Sequence, residues 1–260
     1  SLYLRGIINH KSIKMKKIFT FLLFTLSINL IAQEEIAVAL HYVTVNTDDE
    51  AKLIDLEKEI FSKLHKYSID TGKKIAWDLW RLENDTDPMH TTFVYAHLQP
   101  SLDQQDWGWD NQNIFSKSEL ALAQEKWWSL VVSQKTIMTT YKGGFAPINE
   151  KPVEFSQLSF MNVDPTSHYD YEQMELKNFM PAHKANKLVK GWALHRIVNP
   201  HPESENDYLT ANFFDSMEDI YKNTNNVAKL TKQQKADYGE ILKLRSMTKV
   251  EIFKLMLSVR

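Results

Sequence analysis

The chain has 260 residues, a formal net charge of −2, 43% hydrophobic residues, seven tryptophans and no cysteine. The lack of cysteine excludes disulfides, thiolate metal sites, iron–sulfur clusters and a cysteine nucleophile. A near-balanced charge gives no electrostatic basis for binding nucleic acid, and seven glycines without a glycine-rich loop argue against a phosphate cradle.

Residues 1–14 precede Met15 and are set aside as an upstream segment foreign to the mature chain. Met15-Lys16-Lys17 opens a basic stretch, residues 18–30 are almost wholly apolar, and the chain turns polar at Gln33-Glu34-Glu35. This pattern predicts a secretory signal peptide over 15–32, cleaved after Ala32. The apolar run is shorter than the roughly 20 residues that span a bilayer, so no stable membrane insertion is expected after cleavage. The expected location is therefore the periplasm or the exterior of a Gram-negative type bacterium.

Residues 36–45 read as a strand. A helix follows over 51–69, with Leu53, Leu56, Ile60, Phe61 and Leu64 at helical spacing, and Gly72 stops it. Two strands are expected at 75–82 and 91–98. The aromatic segment 104–116, with Trp107, Trp109 and Phe115, reads as a lid or edge cover. A helix over 117–132 and a weak strand over 137–141 complete the first half, and Lys142-Gly143-Gly144 reads as a turn. The second half gives a strand over 153–163 and a helix over 169–187 that Pro181 kinks or breaks. Strands at 192–198 and 208–214, a helix at 231–244 and a closing strand at 250–259 follow.

The two halves share residues as well as element order. Glu57, Phe61, His65 and Lys66, then Trp77, Leu79, Arg81 and Asn84, return as Glu175, Phe179, His183 and Lys184, then Trp192, Leu194, Arg196 and Asn199. The offset is 183 − 65 = 118 in the helix and 196 − 81 = 115 in the strand. This is a duplication, with repeats at 33–150 and 151–260 that each read βαββαβ, the ferredoxin-like order. The fold class is α+β.

Two such repeats in one chain resemble the dimeric α+β barrel superfamily as a fused pseudo-dimer, which includes NIPSNAP-like proteins, antibiotic-biosynthesis monooxygenases and the haem-binding chlorite-dismutase group. The resemblance rests on element order and duplication, and implies a fold. It implies two sheets facing one another; the functional expectation is an exported binding or structural protein that holds a small apolar or anionic ligand between these two aromatic-rich sheets. The alternative it brings is a monooxygenase-like or haem-dependent enzyme, with His183 and His195 as candidate axial ligands. A fused pseudo-dimer supplies its own partner, so a monomer is expected.

Three groups of residues are candidates for the site. His65 and His183 are duplicated near the ends of their helices, where they either bind a ligand or pack between helix and sheet. Trp77 with Arg81, and Trp192 with Arg196, share a strand face; they either present an arginine fork to an anion or fill the core while the arginine pairs with Glu57 or Glu175. The opposite face carries Asp78 in one half and His195 in the other; Asp78, His41 and His97 could line one cavity as a metal or acid/base site. None stands in a metal-ligand spacing. His201, between Pro200 and Pro202, reads as part of a rigid loop. No catalytic motif is present, and the sequence assigns no catalytic residue.

Overall fold

The computed structural model describes residues 36–108, 113–145, 152–198, 206–225 and 230–260. The segments expected at 1–14 and 15–32, Trp109, Asn199 and the Pro200-His201-Pro202 loop lie outside these residues.

Each half begins with a strand whose alternate side chains are apolar on both faces, because it is covered on both. In the first half β1 (Ala37–Asn46) leads into helix α1 (Glu50–Leu56), which passes through a π turn (Glu57–Phe61) into α2 (Ser62–Asp70). Strands β2 (Ala76–Leu82) and β3 (His90–Gln99) follow, then α3 (Lys117–Leu130) and β4 (Val131–Phe145). The second half repeats the order. It runs β5 (Phe155–Val163), α4 (His168–Met174), a second π turn (Glu175–Phe179), α5 (Met180–Ala185), β6 (Gly191–Ile197) and β7 (Tyr208–Phe214). An added helix α6 (Met217–Asn225) precedes α7 (Lys232–Leu244) and β8 (Arg245–Val259). Matching capping boxes start the last helix of each half, Ser116 with Glu119 and Thr231 with Gln234.

The repeated Glu and Phe are the first and last residues of the two π turns. The same irregularity occurs in the first half without a proline, so Pro181 neither breaks nor causes the departure in the second; it sits at the start of α5.

The eight strands close into an antiparallel barrel in the order β1-β3-β2-β8-β5-β7-β6-β4. Each half contributes a ferredoxin-like sheet, β4-β1-β3-β2 and β8-β5-β7-β6, and the pairs β4–β6 and β2–β8 join them. The fold is a fused dimeric α+β barrel built from two repeats. Lys142-Gly143-Gly144 is not a turn but part of β4 where it meets β6. A Cβ on Gly144 would stand 2.2 Å from the Trp192 carbonyl oxygen, so the crossing requires glycine there.

Strand alternation divides the core into three. Leu40, Trp80, Val94, Phe160, Leu209 and Phe253, with their neighbours, occupy the space between the two sheets. Trp77, Leu79, Phe93 and Trp127 pack beneath the helices of the first half, and Trp192, Leu194, Tyr208 and Phe214 beneath those of the second. Trp77, Trp127 and Trp192 are all fully buried, each hiding about 150–250 Å² of ring surface. Among the described residues no helix is long and apolar enough to cross a membrane.

Candidate functional site

In the first half, the layer between helices and sheet holds a cluster of polar groups. Glu57 points inward from the π turn and is 1% exposed. Its Oε1 accepts hydrogen bonds from the Tyr95 hydroxyl at 2.9 Å and Trp127 Nε1 at 3.0 Å, whereas its Oε2 is buried with no partner among the described residues. Burial pushes the carboxyl up to about 8 against the pull of both donors, so Glu57 is mostly protonated at neutral pH. Two turns along the helix, His65 stacks on Trp77 with ring centres 4.6 Å apart.

Lys74, 2% exposed, reaches into the same layer from the connection before β2. Its Nζ lies 3.0 Å from His65 Nδ1 and 3.1 Å from His97 Nδ1. An ammonium group only donates, so both imidazoles accept through Nδ1 and carry their protons on Nε2. Burial, reinforced by the lysine charge, holds both histidines well below their ordinary range. Burial also brings Lys74 down to about 7, against the attraction of Asp106. His41 completes the group: its Nε2 is 2.6 Å from Gln134 Oε1, and its ring lies 5.6 Å from Tyr95.

Trp107 and Gly108, from the aromatic segment, cover this cluster. Trp107 meets His97 edge-on at 5.1 Å and His41 at 6.4 Å. Gly108 has φ +72°, and a Cβ there would fall 2.6 Å from His65 Nδ1, so only glycine lets the loop lie this close. Gln99 holds the loop from the sheet, donating to the Asp106 carbonyl at 3.0 Å.

The second half keeps the frame and changes its contents. Glu175 is again buried at the start of a π turn, and burial pushes it up to about 7 while the Arg245 guanidinium, 3.9 Å away, pulls it down. His183 lies parallel to Trp192 at 5.6 Å. The register pairs Trp77 with His97 and Trp192 with Asn212, so Asn212 stands where His97 does; at the same offset Val189 replaces Lys74 and Thr210 replaces Tyr95. Here a cleft of about 450 Å³ lies between helices α5, α6 and α7, lined among others by Phe179, His183, Asn186, Asn223, Asp237 and Tyr238. Burial lowers His183 to about 4, so its ring is neutral and offers one donor and one acceptor. Asn186 and Asn223 are joined by a 2.7 Å hydrogen bond.

The structure thus brings His41, His65, His97 and Trp77 together, and separately His183 with Trp192. Asp78 does not join the histidines. Its neighbour Trp77 shares the helix-facing side with His97, which turns Asp78 toward the barrel interior, where Arg260 binds it at 2.7 and 2.9 Å. His195 also faces the interior, with Nδ1 3.2 Å from Thr139 Oγ1 and its pKa lowered to about 4 by burial. Arg81 pairs with Glu50 and Glu83, both at 2.8 Å, rather than with Glu57. Arg196 does not pair with Glu175; it is exposed and lies over the Tyr208 ring at 5.9 Å. Lys74 was not visible as a site residue, because Lys73-Lys74 beside Gly72 reads as an ordinary solvated turn. Trp107 was marked by its position in an unpaired aromatic segment.

Among the described residues no three acidic or histidine side chains converge as a metal site. Haem, which the resemblance to the chlorite-dismutase group would bring, does not fit the residues present. Among the described residues lining the cleft there is no Lys or Arg to neutralise propionates, and Asp237 adds a carboxylate. His195, the other axial candidate, stands inside the barrel on its Thr139 bond.

No family model and no curated protein matches the chain. Solved structures do. A candidate monooxygenase from Fusobacterium nucleatum has a TM-score of 0.62 at 9% identity, covering 87% of this chain and 95% of its own. A candidate monooxygenase from Lactobacillus acidophilus has a TM-score of 0.60 at 10% identity, covering 87% and 96%. An anthrone oxidase-like protein has a TM-score of 0.52 at 10% identity, covering 87% and 94%. At this identity the likeness is one of fold.

Proposed function

We propose that this protein binds a small, uncharged, partly aromatic molecule bearing a hydroxyl or carbonyl group, in the outer cleft of its second half. The cleft beside His183 carries this reading: its volume lies in the range of small-molecule sites. Phe179 and Tyr238, with ring centres 6.3 Å apart, supply apolar walls, and the neutral His183 supplies a donor and an acceptor. Among the described residues the lining holds Asp237 and no cation, which disfavours the anionic ligand expected from the sequence. The apolar side chains between the two sheets favour the outer cleft over the inter-sheet space.

The test is calorimetric titration with a panel of hydroxylated bicyclic and tricyclic aromatics and their carboxylated counterparts. Uncharged compounds are expected to bind more tightly than carboxylated ones, and His183→Ala or Tyr238→Ala to weaken them about tenfold. Equal binding by a protein carrying both substitutions would overturn the reading.

The second reading, a monooxygenase-like enzyme acting on the same bound molecule, draws on what the fold neighbours are described as. Oxygen uptake on adding a compound that binds would favour it. Export and a monomeric state belong to the same proposal. The signal-like 15–32 pattern supports the first, and closure of the barrel within one chain supports the second. A secreted form starting at Gln33, sedimenting at the mass of one chain, is the expected result.

A further inference from the structure

We propose that Lys74 is a reactive amine, a second site at which a small uncharged aldehyde or ketone is taken up as an imine within the helix–sheet layer of the first half.

The placement of the amine is the first support. A buried lysine is ordinarily retained by a carboxylate partner. The Lys74 Nζ instead bonds to two imidazole Nδ1 atoms, His65 at 3.0 Å and His97 at 3.1 Å, neither of which carries charge while it accepts. Among the described residues the charged and titratable groups around it are these two rings and Asp106 on the covering loop, with His41 acting on His97. As a neutral amine Lys74 satisfies both rings with its two N–H bonds and keeps its lone pair for an electrophile.

Unpartnered donors are the second support. His97 Nε2, which must carry the ring proton, and Trp77 Nε1 are buried with no hydrogen-bond partner among the described residues. Two orphaned donors in one layer suit a ligand that brings an oxygen acceptor. The second half is the third support. It keeps the His–Trp stack, the buried Glu and the π turn while replacing Lys74 with Val189 and His97 with Asn212, so the frame folds without the amine.

Burial lowers Lys74 to about 7. Near pH 7 about half of it is neutral, against about one part in three thousand for an ordinary lysine. Asp106 beside the site disfavours a carboxylated carbonyl compound, and the cover of Trp107 restricts the site to small ones. In the reaction the Nζ lone pair attacks the carbonyl carbon and the carbonyl oxygen takes up protons. Water then leaves with that oxygen, so amine and aldehyde give imine and water with no oxidant or reductant.

The test is reductive methylation of the folded protein at pH 7, with limiting formaldehyde and cyanoborohydride, read by peptide mapping at early times. The hydride only traps the imine as a methylamine. Lys74 is expected to be modified at least tenfold faster than the median lysine, with a rate that rises through pH 7 and levels off where those of other lysines still climb. Trp107→Ala is expected to raise the Lys74 rate further, and Lys74→Met to remove the early-labelled peptide. Lys74 modified last, or no faster than the median in both the wild type and Trp107→Ala, would overturn the proposal.

Discussion

In the first half of the molecule a histidine stacked on a tryptophan is sealed beneath Trp107 and Gly108 and shares its Nδ1 with a buried lysine. In the second half the same stack recurs as His183 on Trp192, and His183 lines a cleft. What repeats between them is the frame: a buried glutamate opening a π turn, a phenylalanine closing it, and a tryptophan on the strand beneath. What differs is the filling. Lys74, Tyr95 and His97 give way to Val189, Thr210 and Asn212, and a covering loop gives way to the added helix α6. The duplicated glutamate and tryptophan are therefore best explained by packing, and the residues that diverge around the duplicated histidines are where the two layers acquire different chemistry.

The largest expected effect tests the shared frame. Trp77→Ala and Trp192→Ala should each cost about 3–5 kcal/mol in urea unfolding, because both side chains are fully buried. Loss in only one would show that the two tryptophans are not equivalent. The next effect separates the layers by pH. Lys74 titrates at about 7 when folded and near 10.5 when unfolded, so between these values the unfolded chain binds more protons and stability rises with pH. The difference between wild type and Lys74→Met should shift in favour of the wild type by roughly 3 kcal/mol from pH 7 to 10. Glu57 acts in the opposite sense, its stabilisation being lost as pH rises from its unfolded value toward about 8, but it is common to both proteins and cancels. No pH-dependent difference would mean that Lys74 is not buried as an amine.

Smaller effects sharpen the contrast. His183→Ala should weaken a cleft ligand about tenfold, or about 1.4 kcal/mol, while His65→Ala leaves its affinity unchanged. Arg81→Ala should cost under about 1 kcal/mol, since its pairs with Glu50 and Glu83 are partly exposed. A larger loss would give Arg81 a role in the frame that its contacts do not account for.

Much of this architecture was legible in the residues. The strand at 208–214 and the helix at 231–244 stand where the match to the first half placed them, and the duplication gives the symmetry. Strands β4 and β8 were read short because their first residues, 131–135 and 245–249, are mostly polar and largely exposed beyond the helices, so no alternation marks them. The Gly143-Gly144 pair looks like a turn until β6 is placed against it, since a close backbone approach leaves no local signature. The duplicated histidines were legible as a pair. Their separation into a sealed site and an open one was not, because it depends on Lys74 and on the 104–108 loop, which reach them only through the tertiary fold. Asp78 was grouped with the histidines for want of a register that sets it on the other face.

The most direct test is a histidine-imidazole nitrogen spectrum of the labelled protein, titrated with the uncharged aromatics that bind it. The account predicts that His183 shifts to saturation with the binding isotherm while His65 and His97 stay in place. Shifts confined to His65 and His97, or saturated binding that leaves His183 unmoved, would contradict it.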